Sequence, residues 1–249
     1  MDKRHPENLF TGKAEVYAAT RPSYPEQLLQ WLESRADFES VADVGAGTGI
    51  FTVFLQPVCQ KIIAVEPNPD MRQVFARMPG GWDCIQGSAE AIPLPDNSLT
   101  LIAAAQAFHW FDEIRFREEC RRLLRPEGKL LIVWNNAVDS DSSRTVKEIC
   151  RKYCPAFKSG HAGKRTAEEG DRFLREEYFR ELDFFSCPNP LLRTEEQFID
   201  DQLSRSYALT PASPQYTEYL SELRRTFHQF AENGLLRDDY ETTAYLGKI

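Results

Sequence analysis

The stretch VADVGAGTGIFT, residues 41–52, constrains the fold of this chain more than any other segment. An apolar run ends in Asp43, and glycines follow at three alternate positions, Gly45, Gly47 and Gly49. Glycine is favoured where the backbone needs a positive φ or where a ligand must approach it closely. A strand that leads through such a turn into a helix is typical of the ligand-binding edge of a parallel α/β sheet.

The spacing of the glycines separates the possible ligands. The dinucleotide fingerprint G-x-G-x-x-G would place its third glycine at position 50, which is Ile50. A phosphate-binding P-loop would continue with Lys-Ser or Lys-Thr, and neither follows here. The negative charge of Asp43 beside the turn suits a cationic amino group better than a pyrophosphate. A turn whose glycines serve packing alone is the remaining alternative.

Short apolar runs alternate with helical patterns over the first 136 residues. Helices are predicted at 25–36, 51–56, 69–78 and 112–128, and strands at 40–45, 61–68, 82–90 (a strand with its exit loop), 98–111 (ending in an aromatic loop) and 129–136. Pro126 and Gly128 are expected to stop the last of these helices. This alternation indicates βαβ units and a mostly parallel sheet.

The chain after residue 136 follows a different pattern. We predict a helical crossover at 139–157, a mobile polar loop at 158–171, a helix leading to a strand at 182–189, and a closing strand at 241–249. A capping box of Thr194 and Gln197 opens a further helix. Ser213 and Pro214 open another, whose apolar stripe comprises Tyr216, Tyr219, Leu220, Leu223, Phe227 and Phe230. We interpret residues 1–249 as one domain, with an N-terminal arm and first helix at 1–36, a ligand-binding core at 37–136, and the crossover, a helical cap and the last two strands at 137–249.

Composition narrows the classes of function. No run approaches the roughly 20 apolar residues of a membrane span, and the first ten residues are polar, unlike a secretory signal. A net charge of −8 with scattered basic residues argues against a nucleic-acid binder. Six cysteines without a CxxC pair indicate free thiols in a reducing cytoplasm. A metal site of Cys150, Cys154 and His161 is disfavoured because a fourth ligand is missing, so we expect no metal.

Polar residues also follow the second and third predicted strands. Glu66 ends the second strand, 23 residues after Asp43, where an acidic side chain accepts hydrogen bonds from a ribose diol. Ser88, Ala89 and Glu90 follow the third strand and should reach the same crevice, near an adenine amino group. These positions favour a binding site for an adenosine-type ligand over the alternative that Glu66 is a simple surface carboxylate.

Four segments together resemble the seven-stranded, class I family of S-adenosylmethionine-dependent methyltransferases. They are DVGAGTGIFT, AVEPNPDMR, GSAEAIPLPDNSLTLIAAAQAFHWFD and LLRPEGKLLIVWNN, and the resemblance covers residues 9–136. It is greatest to the branch typified by trans-aconitate and other type 11 small-molecule methyltransferases. The resemblance implies a Rossmann-like, doubly wound, mostly parallel seven-stranded sheet with a C-terminal helical cap. It also implies in-line transfer of a methyl group from the sulfonium to an oxygen, nitrogen or carboxylate of a small molecule, by a monomer or homodimer that binds neither nucleic acid nor membrane.

The resemblance assigns cofactor contacts residue by residue. The glycine turn with Asp43 would line the methionine part, Glu66 the ribose, residues 88–90 the adenine, and residues 106–108 the space under the sulfonium. The arm FTGKAEVYAATRPSYPEQL, with Phe10, Tyr17, Arg21 and Tyr24, would fold over the cofactor, and Arg21 would meet the methionine carboxylate. The full set is Tyr17, Arg21, Asp43, Gly45, Ala46, Gly47, Gly49, Glu66, Pro67, Asn68, Ser88, Ala89, Glu90, Gln106, Ala107, Phe108 and Trp110.

The aromatic loop QAFHWFD offers rings for the cationic sulfonium, with Phe108 favoured over Trp110. His109 is a candidate base, although a carboxylate acceptor would need none because it is already ionised at neutral pH.

The acceptor pocket is less defined by the sequence. Asn135 and Asn136 follow the fifth strand and are candidates to orient an acceptor, whereas Trp134 is expected to pack inside the sheet. For a carboxylate acceptor the basic candidates, each more typical of a solvated surface charge, are Arg144, Lys164, Arg165, Arg193 and Arg205. The alternative functions are a non-catalytic sensor or scaffold that binds S-adenosylmethionine, and an NAD-dependent oxidoreductase.

Overall fold

A computed structural model describes residues 22–78, 80–157, 167–205 and 207–249. Over the first part of the chain, strands and helices alternate as the sequence predicts. The elements are α1 (Glu26–Glu33), β1 (Val41–Val44), α2 (Ile50–Leu55), β2 (Ile62–Val65), α3 (Pro69–Phe75), β3 (Asp83–Ile85), β4 (Leu99–Ala105), α4 (Glu113–Leu123) and β5 (Leu124–Ala137). Short 3-10 helices follow α2 at Gln56–Val58 and β4 at Phe108–Trp110.

The second part of the chain adds the cap and completes the sheet. Its elements are α5 (Asp141–Tyr153), α6 (Ala167–Phe173) with a π-helical turn at Leu174–Tyr178, β6 (Glu181–Pro188), β7 (Leu191–Arg193), α7 (Glu195–Ser204), α8 (Tyr216–Phe230), β8 (Leu236–Asp238) and β9 (Tyr240–Lys248).

Seven strands form one sheet in the order β3-β2-β1-β4-β5-β9-β6. The pairs among β1 to β5 are parallel, and β9 runs antiparallel to both of its neighbours, β5 and β6. This is the mostly parallel, doubly wound sheet that the sequence predicts. The strand order reverses between β1 and β4, and in such sheets ligands bind in the crevice at the carboxyl ends of the two strands where the order reverses.

The sheet is buried on both faces. β1 is buried at all of its positions, which is why it reads as a continuous apolar run rather than an alternating one. One face packs against α4, with Phe116 and Leu123 in its core, and the other against α1 and α2, with Leu28 and Phe51.

A third apolar cluster lies in the cap. Helices α5, α7 and α8 and strand β8 supply it, and Leu236 of β8 is buried with Tyr219, Leu223 and Phe227 of α8. The predicted stripe on α8 is therefore its buried face. The separate two-stranded antiparallel sheet of β7 and β8 was not predicted from the sequence, because each strand has only three residues.

Several predicted boundaries were wrong, three of them at the termini of α4, α6 and α8. Helix α4 ends at Leu123 instead of reaching Gly128, and Leu124 already pairs with Leu99 in the sheet. The residue before Pro126 is disfavoured in the helical region, so the chain must leave the helix early. The polar loop predicted at 158–171 ends sooner, because Ala167–Phe173 is helical; residues 158–166 lie outside the described residues.

The third boundary is the start of α8, at Tyr216. The Ser213 hydroxyl accepts a hydrogen bond from the Thr210 N–H (3.3 Å) in the turn before the helix, so it does not cap α8.

All six cysteines lie in the described ranges, and none forms a disulfide. In the same ranges, no group of His, Cys, Asp and Glu side chains is arranged to hold a metal ion, and no helix has the length and apolar character needed to cross a membrane.

Candidate functional site

The turn after β1 has three glycines with positive φ: +71° at Gly45, +58° at Gly47 and +93° at Gly49. A Cβ on Gly45 would lie 2.6 Å from the Cβ of Ala107, and one on Gly49 would lie 2.7 Å from the Phe75 ring. A Cβ on Gly47 would meet no atom of the described residues within 4 Å. Two of the glycines are thus required for packing, and the middle one borders open space.

Glu66 lies beside this open position. Its carboxylate is buried and accepts hydrogen bonds from the N–H of Gly47 (2.8 Å) and of Asn68 (2.8 Å), one on each oxygen. Asn68 in turn caps α3 through its side chain, which accepts from the N–H of Asp70 and of Met71. A carboxylate oxygen has two lone pairs, so each of these oxygens is of a kind that accepts more than one hydrogen bond. The carboxylate of Glu66, the predicted ribose contact, is therefore held against the glycine turn.

Asp43 is almost completely buried, with 1% of its surface exposed. Its Oδ2 accepts a hydrogen bond from the Thr52 hydroxyl (2.6 Å), whereas Oδ1 accepts none from the described residues. Burial raises the pKa of Asp43 to about 7; the hydrogen bond from Thr52 opposes this shift and the neighbouring Glu66 carboxylate adds to it.

The end of β4 contributes Gln106, which has a positive φ of +57° without being glycine. Its backbone N–H donates to the Val133 carbonyl (2.9 Å), and its side-chain Nε2 donates to the Asn135 carbonyl (3.0 Å). This conformation costs about 1–3 kcal/mol and recurs at ligand sites. It brings Ala107 against Gly45, so the turns after β1 and β4 meet where the strand order reverses.

The residues of the aromatic loop after β4 lie partly in the core and partly near the surface. Phe108 is 5% exposed, and its ring lies 5.1 Å from Tyr178, 6.1 Å from Phe116 and 6.2 Å from Trp134, centroid to centroid. The Phe108 ring thus packs in the core, and its contact with a bound cation stays a prediction. Trp134 packs against the sheet as expected.

His109 and Trp110 are half-buried. Their ring centroids lie 4.7 Å apart, with the two ring planes tilted by 45° to each other.

The loop after β3 is tied to the loop after β4. Glu90 accepts a hydrogen bond from the Asp112 N–H (2.9 Å), and Asp112 caps α4. Ser88 forms a bridge with Ala91, and Ala89 is buried. The structure thus brings residues 88–90 to the carboxyl edge of the sheet.

Of the four residues singled out in the predicted N-terminal arm, Tyr24 is described, whereas Phe10, Tyr17 and Arg21 lie outside the described residues. The Tyr24 ring packs edge-on against Phe51 of α2, with centroids 4.7 Å apart.

The predicted acceptor residues are placed differently from one another. Asn136 donates from Nδ2 to the Thr243 hydroxyl (3.0 Å), whereas Asn135 is buried in an amide network. Arg144 pairs with Asp139 and Asp141 at the surface, and Lys164 and Arg165 lie outside the described residues.

Two of the basic candidates are not solvated surface charges, and that expectation was wrong for them. Arg193 is 4% exposed and contacts Asp238 (Nε to Oδ2, 3.2 Å), and Arg205 contacts Asp201 (Nη2 to Oδ2, 2.7 Å). Burial without paired carboxylates would be prohibitive for two guanidinium groups, and each lies beside one. The sequence pattern did not reveal this cluster because Arg193 and its partner Asp238 lie far apart in the sequence.

Sequence reasoning also missed Thr52 and Asn189. Thr52 lies in the first helix after the glycine turn and carries the one described hydrogen bond to the Asp43 side chain from another side chain. Asn189 lies between Pro188 and Pro190, a spacing that fixes the backbone but does not itself indicate a contact.

The chain is similar to known proteins in sequence and in fold. A family model described as a methyltransferase domain matches residues 42–132. An uncharacterised methyltransferase of Mycobacterium tuberculosis is 32% identical over 220 residues, covering 87% of this chain and 84% of that protein. An uncharacterised methyltransferase-like protein of Schizosaccharomyces pombe is 41% identical over 162 residues, covering 61% of this chain and 63% of that protein.

A solved structure from Anaeromyxobacter dehalogenans, provisionally assigned as a type II methyltransferase, has the same fold, with a TM-score of 0.69 and 24% identity over 92% of this chain and 97% of that one. The chain therefore belongs to the class I family of S-adenosylmethionine-dependent methyltransferases. The oxidoreductase alternative is thereby set aside.

Proposed function

We propose that the chain binds S-adenosylmethionine in the crevice between the turns after β1 and β4 and methylates a small molecule. The observation that carries this proposal is the pair of buried carboxylates, Asp43 and Glu66, at a turn whose Gly47 borders open space. When Asp43 is ionised, it and Glu66 are two buried negative charges that destabilise each other, and a nearby positive charge would offset this repulsion. S-adenosylmethionine carries an ammonium and a sulfonium group, whereas the pyrophosphate of NAD would add negative charge.

Different residues of the crevice bind different parts of the cofactor in this proposal. Oδ1 of Asp43 is the acceptor for the cationic amino group, and the two oxygens of Glu66 are acceptors for the ribose hydroxyls. Residues 88–90 border the adenine side, and Gln106 with Ala107 forms the floor between the two turns. The other predicted contacts also stay predictions; they are Tyr17, Arg21, Ala46, Gly49, Pro67, Asn68, Phe108 and Trp110.

When bound, the cofactor supplies an electrophilic methyl group on a good leaving group. The protein itself then needs to align the acceptor atom and exclude water. A carboxylate acceptor is ionised at neutral pH, so it needs no base. For a phenol, amine or hydroxyl acceptor, His109 is the candidate base, since it lies half-buried in the loop after β4.

A small acceptor is supported by the charges of the cap. Arg193 and Arg205 lie beside Asp238 and Asp201, so this part of the cap carries no excess positive charge for a polyanion. The net charge of −8 also argues against a nucleic-acid substrate. Six cysteines without a disulfide support a reducing compartment such as the cytoplasm.

The test is calorimetric titration of the purified, ligand-free protein with S-adenosylmethionine, NAD and NADP in parallel. We expect micromolar binding of S-adenosylmethionine alone. Binding of a dinucleotide instead, or of nothing by folded protein, would contradict the proposal.

Carboxylic acids, phenols and amines would then be screened for formation of S-adenosylhomocysteine. Turnover with one of them identifies the acceptor class. Binding without turnover on any of them would favour the sensor or scaffold.

A further inference from the structure

A cluster of amides at the carboxyl edge of the sheet surrounds the carbonyl of Ser23. Nδ2 of Asn189 donates to this carbonyl (2.9 Å), and Nδ2 of Asn135 also points to it (3.3 Å). Asn189 Nδ2 further lies 3.3 Å from Oδ1 of Asn135. Two side chains from distant parts of the chain thus converge on one backbone oxygen of the segment before α1.

The cluster is anchored on three strands. Asn135 of β5 pairs in register with Thr242 of β9, whose hydroxyl donates to Oδ1 of Asn135 (2.6 Å). Asn189 directly follows β6, and its backbone N–H donates to the Tyr240 carbonyl (2.7 Å). Prolines on both sides of Asn189 restrict its backbone. The two amides are therefore held rigidly before they contact Ser23.

The segment that they hold, residues 22–25, also contacts the other side of the crevice. Tyr24 packs on Phe51 (4.7 Å) and Phe54 (5.4 Å) of α2, the helix that begins at the glycine turn. The segment therefore runs from the helix after β1 to the ends of β5 and β6. In doing so it borders the carboxyl edge where the crevice lies.

The same cluster reaches the floor of the crevice. The Asn135 carbonyl accepts the hydrogen bond from the Gln106 side chain (3.0 Å), which holds Gln106 in its positive-φ conformation. One residue, Asn135, thus touches both the turn after β4 and the segment before α1.

We propose that Asn135 and Asn189 are positioning residues of the cofactor crevice, because together they clamp the Ser23 carbonyl and fix residues 22–25 as one wall of it. This inference rests on the proposed function, since it assumes that S-adenosylmethionine occupies that crevice. Neither amide needs to touch the cofactor. Their effect is to keep the wall in the geometry that binds.

The test compares Asn189→Ala with a matched control, Ser186→Ala, using calorimetry with S-adenosylhomocysteine. Ser186 lies three residues earlier in β6 and donates one side-chain hydrogen bond to Glu241, away from Ser23. We expect Asn189→Ala to weaken binding about three- to tenfold, as expected for a lost hydrogen bond that couples to binding. Ser186→Ala should bind as the wild type does. Thermal unfolding of both variants checks that they remain folded.

A second variant, Asn189→Asp, tests the pH dependence of binding, which would not change if Asn189 had a purely structural role. At pH 8 its carboxylate faces the Ser23 carbonyl and the Asn135 oxygen, so repulsion should weaken binding relative to the wild type by more than tenfold. At pH 5 a part of the carboxyl groups is protonated and able to donate to Ser23. The ratio of variant to wild-type affinity should therefore recover.

The wild type is measured first, because its failure to bind would overturn the proposed function and this inference together. Where the wild type binds, wild-type affinity in both Asn189 variants, or an equal loss in Ser186→Ala, would overturn the inference alone.

Discussion

Replacing Asp43 with asparagine should change how the stability of the protein depends on pH. The pKa of Asp43 rises from the ordinary 3.8 to about 7 on folding, chiefly because the carboxyl group is buried. Each pH unit between these two values costs the folded state about 1.36 kcal/mol. The full penalty for ionised Asp43 is therefore about 4 kcal/mol, and asparagine, which does not ionise, escapes it.

The direction in which stability changes with pH follows from the number of protons bound by the folded and the unfolded state. Below pH 3.8 Asp43 is protonated in both states and contributes no pH dependence. Between pH 3.8 and 7 the unfolded chain loses this proton while the folded chain keeps it, so the free energy of unfolding falls as pH rises. Above pH 7 both states are ionised and the penalty is constant. From pH 5 to pH 8 the loss amounts to about 2.5 kcal/mol.

Urea unfolding of the wild type and Asp43→Asn at pH 5, 6, 7 and 8 measures this. The asparagine NH₂, placed where Oδ1 has no described partner, costs about 1–3 kcal/mol, but at every pH. The stability of the variant relative to the wild type should therefore rise by about 2.5 kcal/mol between pH 5 and pH 8. Asp183→Asn, which removes one carboxyl group from an exposed strand position, is the matched control. A relative stability of Asp43→Asn that is flat across this range would refute the reasoning.

Two further predictions concern the glycine turn. Asp43→Ala and Glu66→Ala should each weaken S-adenosylmethionine binding at least tenfold in calorimetry while circular dichroism shows a folded protein; unchanged affinity in both would remove these roles. Gly49→Ala should lower the free energy of unfolding by several kcal/mol, because its Cβ would lie 2.7 Å from the Phe75 ring at a φ of +93°. Gly47→Ala should cost only about 1–2 kcal/mol yet abolish binding, because its methyl group enters the open space; an equal stability loss at both positions, or retained binding in Gly47→Ala, would contradict this division.

The sequence by itself determined the local elements and the first turn of the site. Apolar runs bounded by turn residues predicted the strands of the parallel part of the sheet, because burial on both faces requires continuous apolar residues. The capping box at Thr194 is confirmed, with Gln197 N–H to the Thr194 hydroxyl at 3.3 Å and Thr194 N–H to the Gln197 side chain at 3.0 Å. Such contacts lie within a few residues of each other, so their pattern is visible in the sequence.

The tertiary structure alone decided the environment of each site residue. The sequence indicated an aromatic loop, but only packing against Tyr178 assigned the Phe108 ring to the core. It placed a carboxylate at Asp43, but burial set its pKa. Ser23 and Asn189 meet across 166 residues, and the last strand, β9, enters the sheet between β5 and β6. Local periodicity in the sequence shows which face of a helix or strand is apolar, but it does not show which distant element covers that face. Burial, charge pairing and hydrogen bonding of the site residues depend on which distant element packs there, so they are decided only in the tertiary structure.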